Sequence, residues 1–159
     1  MNAAPRRVAD AWTPDQLERR AHAEQGQCVV ANVRKGADNQ LVAWAKATGR
    51  FVYIGRGARG YPAGVWANTA EIVPPRLLHD REAHLRAVAA YAHWLSHQPE
   101  LFARIPELRG MVLGCWCRPL PCHGHLLAEL ANRATAGEGA VAQIAHAMGV
   151  VMAKPTPSR

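Results

Sequence analysis

The sequence predicts an α/β fold: a small Rossmann-like three-layer domain with a short, mainly parallel sheet flanked by helices. Three observations carry this. Three short apolar runs, residues 28–33, 51–54 and 111–117, read as strands. Segments of helical periodicity separate them, which is the pattern of a parallel sheet with crossover helices. Each run also ends in polar, Gly-rich or Cys/His residues, as strand ends that form a ligand site do.

The elements follow in order. Thr13-Pro14-Asp15 is a helix start, with an N-cap threonine, proline at the first helical position and an acid in the first turn. That helix is expected to run to about Gln25 and stop at Gly26. Cys28-Val29-Val30-Ala31-Asn32-Val33 is β-branched and apolar on both faces, a buried strand. Asp38 or Asn39 caps a helix through Leu41, Val42, Trp44 and Ala45. Phe51-Val52-Tyr53-Ile54 is the second strand, running into Gly55-Arg56-Gly57. Residues 55–75 are rich in Gly, Pro and Ala, long for a bare connection and therefore a candidate binding loop. Asp80 opens an amphipathic helix with Leu85, Val88, Tyr91, Ala92 and Leu95 on one stripe, and His84, His93 and His97 are expected on its solvated side. A helical turn near Leu101–Ile105 precedes the third strand, Met111 to Cys117. Cys122 or His123 opens a helix through Leu126, Leu127, Leu130 and Ala131, which Gly137-Glu138-Gly139 breaks. A last helix carries Val141, Ile144, Ala145 and Met148. The domain organisation is a flexible arm (1–12), one α/β domain (13–150) and a flexible tail (151–159).

Composition bounds the function. The 159 residues are 49 % hydrophobic and 19 % charged, a globular balance with no apolar run long enough for a membrane helix. The first residues lack the apolar core of a secretory signal, so the expected location is cytoplasmic, with no membrane partner. The formal charge of +7 comes mostly from arginine, whose planar fork suits phosphate and carboxylate. A small anionic ligand, above all a nucleotide, is the expected partner, with nucleic acid as another. Trp94 and the last helix leave a homodimer open.

The sharpest feature is Gly114-Cys115-Trp116-Cys117-Arg118-Pro119-Leu120-Pro121-Cys122-His123-Gly124-His125. It reads as a strand, a proline-stiffened turn and a helix start. Strand alternation puts Cys115 and Cys117 on one face and Trp116 on the other. A helix start attracts anions and acidifies a thiol placed there, so Cys122 is the expected thiolate, with His123 beside it as the second catalytic candidate. The ligand-binding candidates are Asn32, Arg34, Tyr53, Gly55, Arg56, Gly57, Trp66, Asn68, Cys115, Cys117 and His125. Arg34 and Arg56 would hold phosphate, Asn32 and Asn68 would orient the ligand, and Tyr53 or Trp66 would stack on it. No cofactor is required. The rival is zinc on Cys115, Cys117, Cys122 and His123 or His125, although all of these ligands are local and a second knuckle is lacking. Walker, dinucleotide, deaminase and Ser/His/Asp signatures are absent.

Asn32-Val33-Arg34, Tyr53-Ile54-Gly55-Arg56, Trp66-Ala67-Asn68 and Leu113 to Gly124 together resemble the bacterial and phage domain of unknown function forty-three twenty-six. Its members run N-V-R, Y-I-G-R, a W-G-N-P-F-like loop and C-W-C-x-P-x-P-C-H-G-D, so the likeness spans about residues 28–132. More distantly, the strand cysteine and Cys-His pair are similar to the uncharacterised family four hundred and eighty-eight, also a small α/β fold. Trp66-Ala67-Asn68-Thr69 departs from the loop pattern, and His125 stands where an acid is usual. The expected function is binding of a nucleotide or nucleoside phosphate at the strand ends, with attack on a glycosidic bond in the manner of a nucleosidase or ribosyltransferase. The alternatives are a zinc-stabilised structural or nucleic-acid-binding module, and an inactive protein that sequesters a nucleotide.

Overall fold

The computed structural model describes residues 11–58, 60–133 and 138–150, so most of the expected arm and all of the tail lie outside the described residues. The chain runs α1 (Pro14–Glu24), β1 (Val29–Asn32), α2 (Asn39–Ala47), β2 (Phe51–Tyr53), a 3-10 turn (Pro75–Leu77), α3 (Arg81–Ser96), α4 (Pro99–Phe102), a second 3-10 turn (Ile105–Leu108), β3 (Val112–Cys115), α5 (His123–Asn132) and α6 (Glu138–Ala147). The three strands form one sheet in the order β1-β3-β2, parallel throughout rather than mainly so.

Side-chain alternation builds the three layers. Val30, Val52, Leu113 and Cys115 point to one side, into a core shared with Tyr91 and Leu95 of α3, Leu126, Leu127 and Leu130 of α5, and Ile144 of α6. Val29, Ala31, Phe51 and Val112 point to the other side, against Leu41, Val42 and Ala45 of α2 and Ala23 of α1. Trp12, expected in the loose arm, packs half-buried on this second core. Gly114 lies at the middle of the sheet because nothing larger fits. A Cβ there would stand 2.5 Å from Phe51 Cζ and 2.8 Å from Val33 Cγ1. Among the described residues, no helix is long and apolar enough to cross a membrane.

The helix caps follow the expected chemistry with one exception. Thr13 accepts from the Gln16 N–H, and Asp80 from those of Glu82 and Ala83. Asp38 occupies the N-cap position of α2 but makes no capping bond. Its carboxylate is committed elsewhere, accepting from the buried Arg19 guanidinium at 2.7 and 2.9 Å and from the Asn32 N–H at 2.8 Å. Burial pushes Asp38 up, but these hydrogen bonds from Arg19 and Asn32 hold it below the usual carboxylate range. Gly139 lies within α6 instead of breaking a helix, because α6 starts at Glu138. The turn expected at Leu101–Ile105 resolves into α4 and the second 3-10 turn.

Candidate functional site

At the carboxyl ends of β2 and β3 a cavity of about 290 Å³ opens beneath α3. That is near the lower limit of the roughly 300–1,000 Å³ usual for small-molecule sites. One wall is the turn Gly55-Arg56-Gly57-Ala58, a second is the end of β3 with Cys115, Trp116 and Cys117, and a third is the start of α5 with Cys122 and His123. The loop after β2 and the first turns of α3 close it with Asn68, Glu71, Leu78 and His84.

The β2 turn is shaped by Tyr53. Its hydroxyl donates to the Arg56 carbonyl at 2.7 Å and accepts from Trp116 Nε1 at 2.8 Å. A Cβ on Gly55 would lie 2.4 Å from that hydroxyl, so glycine is what lets the ring cover the turn. Arg56 is thereby held on the wall of the cavity, and its guanidinium makes no hydrogen bond or ion pair among the described residues.

The three cysteines of the motif meet at this cavity, and the thiol whose pKa is lowered is Cys115, where Cys122 was the expected one. Hydrogen bonds from the Cys117 and Cys122 thiols, joined by the backbone N–H groups of Arg118 and Cys117, hold Cys115 well below the ordinary thiol range despite its burial. Donating to Cys115 in turn pushes Cys117 up to about 12 and Cys122 well above its ordinary value. Cys122 does cap α5, accepting from the Gly124 N–H at 3.2 Å, yet one such donor is outweighed by its hydrogen bonds with Cys115 and Cys117 and by burial. Cys28 lies apart, paired through its backbone with Asn132 and raised to about 12 by burial.

Burial likewise keeps His123 neutral, its pKa lowered. Its Nε2 contacts the Ile54 carbonyl at 2.8 Å, a bond that puts the single proton on Nε2. Nδ1 then faces Cys122 Sγ at 4.0 Å. Among the described residues, no group of three or more His, Cys, Asp or Glu side chains is arranged to hold a metal ion.

Of the expected site residues, the cavity brings together Gly55, Arg56, Gly57, Asn68, Cys115, Cys117, Cys122 and His123. The others are elsewhere. Trp66 is 4 % exposed and belongs to the core, where its carbonyl accepts from the Tyr91 hydroxyl, so it is no stacking wall. Tyr53 stacks on Tyr61, centroids 4.6 Å apart, and supports the turn from behind. Asn32 lines a separate cavity on the α2 side with Lys35, Lys46 and Tyr61, and Arg34 is exposed outside the site. Asn68 reaches the wall but spends its amide on backbone, donating to Ala87 O and accepting from the Ala70 and Glu71 N–H groups. His125 lines a third cavity, with Arg81, Glu129 and Arg133. The change from acid to histidine at position 125 therefore takes no group out of the thiol cavity.

Two chemically competent residues were not expected there. Glu71 brings a carboxylate to the wall, and no periodic signal in its loop marks it. His84, expected on the solvated side of α3, is 4 % exposed and bonds through Nε2 to Leu78 O at 2.9 Å. Its spacing to Val88, Tyr91 and Leu95 places it on the buried stripe, a signal present in the sequence.

Comparison with known proteins adds a family. A family model described as "Domain of unknown function (DUF4326)" matches residues 37–133. A curated protein of Enterobacteria phage T4, described as "Uncharacterized 12.4 kDa protein in nrdA-td intergenic region", is 55 % identical over 31 residues. That match covers 20 % of this chain and 29 % of the phage protein's length. No solved structure matches.

Proposed function

The chain belongs to the family of domains of unknown function DUF4326, and we propose that it binds a small nucleotide or nucleoside phosphate in the thiol cavity, with the phosphate on Arg56. The observation that carries this reading is the polarity of the cavity. An unpaired guanidinium lies on the β2 turn, and Cys115, a buried thiol whose hydrogen bonds from its neighbours favour the anionic form, lies at the end of β3. An anionic group is drawn to the first and repelled by the second. The ligand therefore binds with its phosphate on the turn and its sugar toward the sulfur cluster. The volume limits it to about one nucleotide unit.

The same polarity suits cleavage at a glycosidic bond. Positive charge develops on the sugar ring as the bond to the base breaks, and a neighbouring thiolate stabilises that charge in a water-poor site. Glu71 is the group that would take a proton from the attacking water and pass it on to the base, which would leave with the bonding electron pair. His123, neutral and tied to Ile54 O, holds the wall in place and does not act as an acid.

Calorimetric titration with nucleoside monophosphates, free nucleosides and inorganic phosphate tests the binding. Monophosphates should bind and nucleosides should bind more weakly. Arg56→Ala should weaken the monophosphate by about 1.5–3 kcal/mol, roughly 10- to 160-fold, for a lost charge-assisted hydrogen bond. Equal affinity in the variant, or no binding of any monophosphate, would overturn the reading. Chromatography after prolonged incubation then separates two outcomes. Free base identifies a nucleosidase or transferase, and unchanged nucleotide identifies a sequestering protein.

A further inference from the structure

We propose that Cys115 and Cys122 form a reversible disulfide when hydrogen peroxide enters the cavity, making the sulfur cluster an oxidation-sensitive site. This does not rest on the nucleotide reading and uses neither Arg56 nor Glu71. Its basis is the meeting of three thiols around one cavity, two carried by β3 and the bend after it and one by the start of α5. The fourth cysteine, Cys28, stands just before β1, in contact with Asn132, and is not among the residues that line the cavity.

The step is balanced within the cluster and one peroxide molecule. The Cys115 sulfur attacks one peroxide oxygen, the O–O bond breaks and hydroxide leaves, giving a sulfenic acid. The Cys122 sulfur then attacks the sulfenic sulfur, the S–O bond breaks and water leaves. Two thiols are oxidised and one peroxide is reduced to two waters. The hydrogen bonds that Cys115 receives from its neighbours favour the attacking thiolate.

Two features choose the participants. Cys115 is 1 % exposed, but it lines the cavity, so a molecule as small as peroxide reaches it while bulky alkylating agents do not. As partner, Cys117 sits only two residues further along the same segment, past the bend at Trp116, so a disulfide to it would close a tight ring within that bend. Cys122 comes from a different element and carries no such restriction.

The test uses the unmodified chain, fully reduced and then treated with hydrogen peroxide. Free thiols are blocked with iodoacetamide under denaturing conditions, disulfides are reduced, and the newly freed thiols are labelled with N-ethylmaleimide. Fragmentation mass spectrometry reads the label at each of the four cysteines. The expected result is the second label on Cys115 and Cys122 only, with both restored to the first label when dithiothreitol follows the peroxide. Cys28→Ser should give the same pattern. In Cys122→Ser, a sulfenic acid on Cys115 should be captured by dimedone added with the denaturant. Four first labels after peroxide would overturn the proposal, as would a second label on Cys28 or Cys117, or irreversible oxidation of Cys115.

Discussion

The side-chain amide of Asn32 donates to the carbonyl oxygen of Arg118 at 2.6 Å, joining the end of β1 to the turn that follows the thiol strand. The same amide's oxygen accepts from the Arg34 N–H at 2.8 Å. Asn32 therefore acts on the site through the backbone of its neighbour, without touching the cavity. Asn32→Ala should cost about 1–3 kcal/mol, the usual consequence of leaving a polar group unpaired. Asn32→Asp should be at least as damaging, since it keeps the acceptor and loses the donor. Urea denaturation of the two variants measures this, and a cost under about 0.5 kcal/mol for both would show the bond to be dispensable.

Arg19 and Asp38 form the buried ion pair of the fold, with side chains 9 % and 8 % exposed. Removing one partner leaves the other charge buried. Asp38→Ala should therefore destabilise by about 3–5 kcal/mol. Asp15 also touches Arg19, but its side chain is 56 % exposed, so Asp15→Ala should cost much less. Equal effects in parallel denaturation curves would contradict this ranking.

Gly114→Ala should destabilise by about 1–3 kcal/mol, because the added methyl meets the Phe51 ring at less than contact distance. The clash is specific, so it has a specific remedy. Phe51→Leu in the Gly114→Ala background should recover part of the loss, although Phe51→Leu alone should be destabilising. Additive losses in the double-mutant cycle would place the strain elsewhere.

Acid should weaken the fold through two histidines that are buried uncharged. Burial holds His123 and His125 below the ordinary histidine value in the folded chain. The unfolded chain then binds more protons than the folded one once the pH drops below about 6.5. Stability is fully present above that pH and falls as the pH falls toward the folded-state values, by at most about 1.4 kcal/mol per unit for each histidine. Thermal melts from pH 7.5 to pH 5 should show the decline, and His125→Gln should flatten it. A melt independent of pH across this interval would contradict it.

Much of this architecture is legible in the residues. The β-branched runs, the Thr13 and Asp80 caps and the α3 stripe each express a local rule, and each forms as read. The gathering of Cys115, Cys117, Cys122 and His123 follows from one short segment that carries all four. What escapes the sequence is set by partners far along the chain. Asp38 reads as a cap because Arg19 is nineteen residues away and nothing local announces the pairing. Trp66 reads as a ligand wall because the loop's path under α3 is invisible until Tyr91 takes its carbonyl. Which thiol has its pKa lowered depends on how many N–H and S–H donors converge on it. Alternation and a helix start do not supply that count. His84 is a different kind of miss, since the helical spacing contains it and the polarity of the side chain argued against it.

The strand order has a consequence for how the chain assembles. β1 and β2 do not pair with each other; each pairs only with β3, which is made last. Until residues 112–115 have emerged, the first two strands have no hydrogen-bonding neighbour. Their separate halves must wait, held only by local helix contacts, for a segment some eighty residues downstream of the first strand. The keystone of the arch is thus also the bearer of its chemistry. A chain truncated before β3 loses the thiols and the sheet together, so an incomplete product has no half-built site left to misfire.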